Sequence, residues 1–107
     1  MSHPRSKTFP KPATLAKASS FLKLLAHPVR LSLLCNLLHH GEMSAGALVA
    51  AEADSASQSQ VAQFLTKMRV EKLVKRRRDG QTVYYRIASP AVAQIIATLN
   101  NIYCRKA

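Results

Sequence analysis

Cys35 and Cys104 are the side chains of this sequence with the most reactive chemistry. A thiolate attacks sulfur and oxygen electrophiles, and two thiols close a disulfide if the fold brings them together. Cys35 shares a helical stripe with leucines, which is also how an inert buried cysteine is placed. Cys104 lies off the apolar stripe of its segment, so core packing explains it poorly. We treat both as candidate sensor thiols, and because the Cys-x-x-Cys spacing of redox enzymes is absent, we expect no enzyme.

A second group of side chains is polar and basic. Residues 57–68 combine a predicted core stripe with an opposite face of hydroxyl and amide groups, which can reach base edges in a DNA groove. Four consecutive cations follow, just before a hairpin turn predicted at Asp79-Gly80. A solvated helix face and a solubilising hairpin are the plain alternatives. The residues predicted to contact DNA are Ser57, Gln58, Ser59, Gln60, Gln63, Lys67, Lys75, Arg76, Arg77, Arg78 and Gln81.

The overall charge favours the same partner. The 107 residues include 16 Lys+Arg against 5 Asp+Glu, a formal net charge of +11 that attracts polyanions. No apolar run approaches the ~18–20 residues of a spanning helix, and no secretory signal appears, so we expect a cytoplasmic protein without membrane contact. The four histidines lack the spacing of a zinc site, and no glycine-rich loop is present. We therefore expect no metal and no cofactor.

The spacing at which hydrophobic residues recur predicts the helices and strands that position these groups. Residues 1–13 have none and predict a disordered basic arm, whereas residues 14–107 predict one DNA-binding and dimerisation domain. Helices are expected before His27-Pro28, from Pro28 to Gly41, after a Ser44 cap, across residues 58–73 and from Pro90. The predicted order is helix, helix, helix, helix, strand, strand, helix. The expected fold class is therefore mainly α with a β-hairpin (α+β), a winged helix-turn-helix.

Over about residues 14–104 the sequence resembles the ArsR/SmtB-type winged-helix repressors. The segments that carry the resemblance are FLKLLAHPVRLSLLCNLL, MSAGALV, Ser57 to Leu65, and KLVKRRRDGQTVYYRI. The resemblance implies a homodimer formed through the first and last helices, with two recognition helices in successive major grooves of double-stranded operator DNA. Ala62 and Phe64 stand where the family often has Ser and His, and the ADSAS loop is longer than the family's loop at this point. The resemblance therefore leaves the DNA sequence preference open.

Within that family, LLCNLL and NNIYC are similar to the BigR/SqrR-type branch, whose repressors sense persulfide and related reactive sulfur. The resemblance implies that one thiolate takes up sulfur as a persulfide. The other cysteine then captures it in a disulfide or polysulfide bridge, and the operator is released. The alternatives are a peroxide- or disulfide-sensing repressor, a metal-sensing repressor and a DNA-binding protein that senses nothing.

Overall fold

A computed structural model describes residues 11–103, and within them five helices surround a small antiparallel sheet. The helices are α1 (Pro12–Leu25), α2 (Pro28–His40), α3 (Ala45–Ala51), α4 (Gln58–Val70) and α5 (Pro90–Tyr103), and the strands are β1 (Met43–Ser44), β2 (Val74–Asp79) and β3 (Thr82–Ile87). The strands lie in the order β1-β3-β2, so β2 forms a free edge of the sheet. The predicted α+β class and winged helix-turn-helix order are confirmed.

Two details differ from the sequence prediction. The β1 strand was not predicted, because two residues are too few to produce a visible alternation of apolar and polar side chains. The hairpin turn also lies one residue further along the chain than predicted. Asp79 pairs with Thr82, so Gly80 and Gln81 form the two-residue turn. Gly80 has a φ of 65° at the first central position, the conformation that a II′-type hairpin turn assigns to glycine.

Local capping groups set the helix boundaries. The His27 ring nitrogen Nδ1 accepts a hydrogen bond of 3.1 Å from the Val29 N–H, so His27 is the N-cap of α2. Gly41 ends the same helix with a φ of 82°. The α1 helix begins at Pro12, inside the arm predicted for residues 1–13, because proline is favoured in the first helical turn. Residues 1–10 lie outside the described residues, so the disorder of the arm stays a prediction.

The core is built around α2. Leu33, Leu34 and Leu37 of this helix are fully buried, and α5 and the sheet pack against it. The predicted stripe of α4, Val61, Leu65 and Met68, faces the same core. Burial of these side chains is the main stabilising term of the fold. The α4 helix is thereby fixed with its opposite side toward solvent.

Two buried polar groups tie the helices together. The Glu52 carboxylate, 2% exposed at the end of α3, accepts hydrogen bonds from Ser32 Oγ (2.5 Å) and Asn36 Nδ2 (3.4 Å) of α2. Arg30 of α2 donates to the backbone oxygen of Leu24 and lies 3.9 Å from the Glu71 carboxylate that follows α4. Because removing one partner of a buried polar contact leaves the other unsatisfied, these contacts hold α1, α3 and α4 to one central helix.

The first helix is the least packed element. Residues 11–20 are all exposed, and Leu25 is the only buried residue of α1. Leu15 and Leu22 are 48% and 54% exposed. Within residues 11–103 no single helix is long and apolar enough to cross a membrane, and α1 and α2 meet that test only as a pair bent by 87°.

Candidate nucleic-acid interface and thiol site

The start of α4 is closed by a capping box. Ser57 Oγ accepts a hydrogen bond of 3.1 Å from the Gln60 N–H, and Gln60 Oε1 accepts one of 2.9 Å from the Ser57 N–H. The box satisfies two backbone donors that a helix start otherwise leaves open. Both residues were predicted to contact DNA, and both hold the helix start in this structure. The Ser-x-x-Gln pattern in the sequence could have identified the role of Gln60.

The exposed side of α4 carries the polar side chains predicted to read DNA. Gln58, Ser59, Gln63 and Lys67 are exposed, whereas the apolar stripe behind them is buried. Backbone N–H groups and the positive end of the helix dipole also lie at the N-terminus of α4. Ser59, Gln63 and Lys67, spaced four residues apart, therefore lie on one accessible face of the helix, as a groove-reading helix requires, whereas Gln58 is exposed beside the groove between α3 and α4.

The two positions that depart from the family pattern lie in different places. Ala62 is exposed and lines a groove of about 350 Å³ between α3 and α4. Phe64 is half-buried against the start of α2, with its ring 4.7 Å from the His27 ring and 5.6 Å from the Arg30 guanidinium carbon. Phe64 is therefore a packing residue, and Ala62 alone of the two belongs to the exposed face.

The β2–β3 hairpin presents cations on both of its faces. The strand register pairs Lys75 with Arg86 and Arg77 with Tyr84, so these four side chains share one face. Arg76 and Arg78 point to the other face, opposite Tyr85 and Val83. All four predicted cations are exposed, and Gln81 is exposed in the turn. The hairpin is a charged projection beside α4.

Arg77 is held more tightly than the other cations of the hairpin. Its Nε and Nη2 donate hydrogen bonds of 2.9 Å to the two carboxylate oxygens of Glu42, and its guanidinium lies 4.5 Å from the centre of the Tyr84 ring. These hydrogen bonds lower the pKa of Glu42 below its ordinary value and raise the pKa of Arg77. Arg77 therefore fixes the hairpin to the chain before β1, a role that the sequence did not reveal because the two residues are distant along the chain.

The first candidate thiol lies at a cavity between α2 and α5. Cys35 is half-buried and lines an apolar cavity of about 300 Å³ together with Leu31, Leu99, Asn100 and Tyr103. The predicted packing of Cys35 among leucines is thus seen on one side only, since its other side faces the cavity. Cys104 lies outside the described residues. Tyr103, which lines the same cavity, is its immediate neighbour in the sequence.

The described residues include no group of three or more His, Cys, Asp or Glu side chains placed to hold a metal ion. His27 is the helix cap described above, and His39 and His40 contact each other at the end of α2 with ring centres 4.8 Å apart. The expectations of no metal site and no cofactor remain predictions.

Known proteins resemble this chain both in sequence and in structure. The chain is 42% identical over 92 residues to the HTH-type transcriptional regulator YgaV of Escherichia coli, a match that covers 86% of this chain and 91% of YgaV. The structure of HlyU from Vibrio cholerae superposes with a TM-score of 0.78 at 37% identity, covering 89% of this chain and all of that one. No protein-family model matches the sequence.

A third similarity concerns a protein named as a repressor. The crystal structure of the transcriptional repressor BigR from Xylella fastidiosa has a TM-score of 0.75 and 33% identity, covering 86% of this chain and 91% of that one. All three proteins are named as transcriptional regulators, HlyU as a transcriptional activator, and none is named as an enzyme. The prediction of a DNA-binding regulator that is not an enzyme is therefore confirmed.

Proposed function

Because this chain belongs to the ArsR/SmtB family of DNA-binding winged helix-turn-helix regulators, we propose that it is a homodimeric repressor controlled by Cys35 and Cys104. In this proposal α4 enters the major groove of operator DNA. The β2–β3 hairpin lies against the phosphate backbone. Reaction of the two thiols with reactive sulfur releases the complex.

The DNA contacts are assigned from exposure and chemistry. Gln58, Ser59 and Gln63 are the base-reading candidates, because amide and hydroxyl groups pair with base edges, whereas Lys67 suits a phosphate. The hairpin adds phosphate contacts from Lys75, Arg76, Arg78 and Gln81. Ser57, Gln60 and Arg77 support the interface by holding the helix start and the hairpin in place.

The proposed dimer uses α1 and α5. Apolar side chains that one protomer leaves exposed on these helices are Leu15, Leu22, Ile102 and Tyr103, from 48% to 79% exposed. A lone protomer gains nothing from large apolar side chains in water, so a second copy of the chain explains them. Two α4 helices related by twofold symmetry would then meet two half-sites about one helical turn apart.

The observation that carries the thiol proposal is the shared cavity of Cys35 and Tyr103. Cys104 directly follows Tyr103 in the sequence, and the proposal requires its sulfur to reach that cavity. A bridge between the two sulfurs would join α2 to the end of α5. Since α5 is also assigned to the dimer interface, the bridge would alter the separation of the two α4 helices and weaken operator binding.

The oxidant in the proposed mechanism is a low-molecular-weight persulfide. The Cys35 thiolate attacks its terminal sulfur, the sulfur–sulfur bond breaks, and the parent thiolate leaves, so that Cys35 carries a persulfide. The Cys104 thiolate then attacks the Cys35 sulfur atom. A disulfide forms and hydrosulfide leaves, and the two thiols have lost two electrons while the added sulfur atom has been reduced. If both cysteines are first persulfidated, the terminal sulfur of one attacks the inner sulfur of the other. That reaction gives a trisulfide and releases hydrosulfide.

The test compares the wild type with Cys35→Ser and Cys104→Ser. Each is bound to a DNA fragment that the protein selects in vitro, and release is followed by fluorescence anisotropy after glutathione persulfide or hydrogen peroxide. We expect all three unreacted proteins to bind alike, with persulfide releasing only the wild type. Intact mass spectrometry should show a bridge in the released protein. Undiminished release of Cys104→Ser would refute the two-thiol mechanism, and equal release by peroxide would assign the chain to the peroxide-sensing alternative.

A further inference from the structure

A basic concavity lies at the base of the hairpin, away from the exposed start of α4. It has a volume of about 500 Å³ and is lined by Arg69, Lys72, Val74, Lys75, Arg76 and Ala88. Every charged side chain in this lining is a cation. Arg69 and Lys72 at the end of α4 meet the edge strand here, where Lys75 and Arg76 point to its opposite faces, and a bound anion would reduce the repulsion among these like charges. We propose that this basic concavity is a binding site for a phosphate-bearing anion.

The first supporting observation is an unsatisfied donor. The Nε of Arg69 is buried, and no hydrogen-bond partner for it exists among the described residues. A buried donor without an acceptor is uncommon in folded proteins, because it has lost its water without gaining a replacement. A phosphate oxygen is an acceptor that suits the guanidinium group of arginine. Arg30 Nε and Glu71 Oε1 are also buried without a hydrogen-bond partner among the described residues, but of these three residues only Arg69 lines the concavity, so an anion there offers its guanidinium an acceptor that Nε reaches once the side chain turns.

The second observation is the backbone at Lys72. Its φ of 66° is the only positive φ at a non-glycine position within residues 11–103. The Lys72 N–H bonds to the Arg69 carbonyl at 3.0 Å and the Leu73 N–H bonds to the Met68 carbonyl at 2.9 Å, which is the Schellman pattern that ends α4. Glycine is the favoured residue at this point of the motif. A lysine that accepts the strain and lines the concavity indicates a role for its charge.

The site is separate from the base-reading face. Arg69 follows Gln58 by eleven residues of one helix, which is about 16 Å along the axis at 1.5 Å per residue. The β2 strand is also the free edge of the sheet at this point, so no other strand formed by residues 11–103 covers the hollow. Two sources of phosphate fit this position. One is the backbone of bound DNA, in which case the site extends the hairpin contacts of Lys75 and Arg76 and rests on the proposed function. The other is a free polyphosphate that acts as an effector. Neither depends on the cysteine chemistry.

The experiment uses Lys72→Gly and Arg69→Gln, with Lys23→Gln as the matched control. Lys23 is an exposed lysine of α1, so its loss removes the same charge elsewhere. Binding of sodium tripolyphosphate is measured by calorimetry in 0.15 M salt. In parallel, the salt dependence of affinity for a mixed-sequence 40-base-pair duplex is measured by anisotropy. We expect wild type and Lys23→Gln to bind tripolyphosphate alike, and both concavity variants to bind it at least tenfold more weakly.

The duplex measurement separates the two sources. If the natural ligand is the DNA backbone, Lys72→Gly reduces the slope of log K against log salt by about 0.9 for each protomer. If it is a free polyphosphate, the slope equals that of Lys23→Gln. Thermal melting of Lys72→Gly should be no lower than that of the wild type, because glycine suits the backbone there. The proposal is overturned if neither measurement distinguishes the two concavity variants from Lys23→Gln.

Discussion

Glu42 and Arg77 form a paired contact on the hairpin face, with two hydrogen bonds of 2.9 Å. The arginine lowers the pKa of the Glu42 carboxyl, so the folded protein holds this group ionised to a lower pH than the unfolded chain does. Such a carboxylate contributes stability above its unfolded pKa, and the contribution is lost as the pH falls through the folded pKa. The pair is therefore intact at neutral pH and fails in acid.

The lowered pKa of Glu42 predicts how the hairpin responds to pH. We expect the hairpin to loosen as the pH falls from about 5 toward 3, around and below the ordinary glutamate pKa. Hydrogen exchange of the β2 and β3 amides would measure this, with Glu42→Gln as the control. That variant should exchange faster at neutral pH and show little further change over the same pH window. An identical acid response in wild type and variant would assign the loosening to another group.

Whether the contact of a residue could be predicted depends on how near its partner lies along the sequence. The Ser57–Gln60 capping box is local, and its pattern is readable from the sequence. The Glu42–Arg77 pair and the buried contact of Glu52 with Ser32 join distant segments, and no local pattern indicates them. Phe64 shows the same limit, because its contact with His27 depends on how two helices pack. Exposure of a polar side chain could be predicted, but its partner could not.

At the scale of elements, the capping box gives a second prediction. We expect Ser57→Ala to reduce the free energy of unfolding by about 1 kcal/mol, because the Gln60 N–H loses its acceptor at the start of α4. Urea unfolding would measure the change. Ser59→Ala, an exposed serine in the first turn of the same helix, is the control and should change stability by less than about 0.5 kcal/mol. Equal losses in the two variants would show that the cap contributes nothing.

Elements with strong terminal signals were predictable to within a residue or two. Proline and glycine bracket α2, and the structure places that helix at Pro28–His40. The hairpin was predictable in kind, but its turn moved by one residue because strand pairing, rather than the Asp-Gly dipeptide, sets the register. The two-residue β1 strand exists only through its pairing with Tyr84 and Tyr85, so no property of its own sequence could reveal it.

At the scale of the whole molecule, the prediction concerns assembly. We expect Leu22→Arg and Ile102→Arg to yield folded monomers, because both side chains are exposed in one protomer and lie on the helices assigned to the interface. Sedimentation velocity would measure the assembly state. Loss of the second half-site contact should weaken DNA binding by about 10²–10⁴-fold. Val70→Arg is the control, since Val70 is 69% exposed on α4.

The control adds the same charge outside the proposed interface, so Val70→Arg should remain dimeric. If the α1 and α5 variants also remained dimeric, a different surface would join the protomers. For the whole molecule, the sequence alone indicated the fold class and a polyanionic partner, because element order and the net charge of +11 are properties of one chain. The contact between copies is a property of two chains, and only the family resemblance pointed to it.

The exposed apolar side chains of α1 also make the number of copies of the protein important. If α1 gains its packing from a second copy of the chain, as proposed, stability depends on protein concentration, since mass action couples folding to association. On dilution, the concentration of the DNA-competent dimer would then fall as the square of the concentration of free protomer. A cell that makes few copies would thus hold a reserve of single chains. Its genes would respond to the amount of regulator as well as to the inducer.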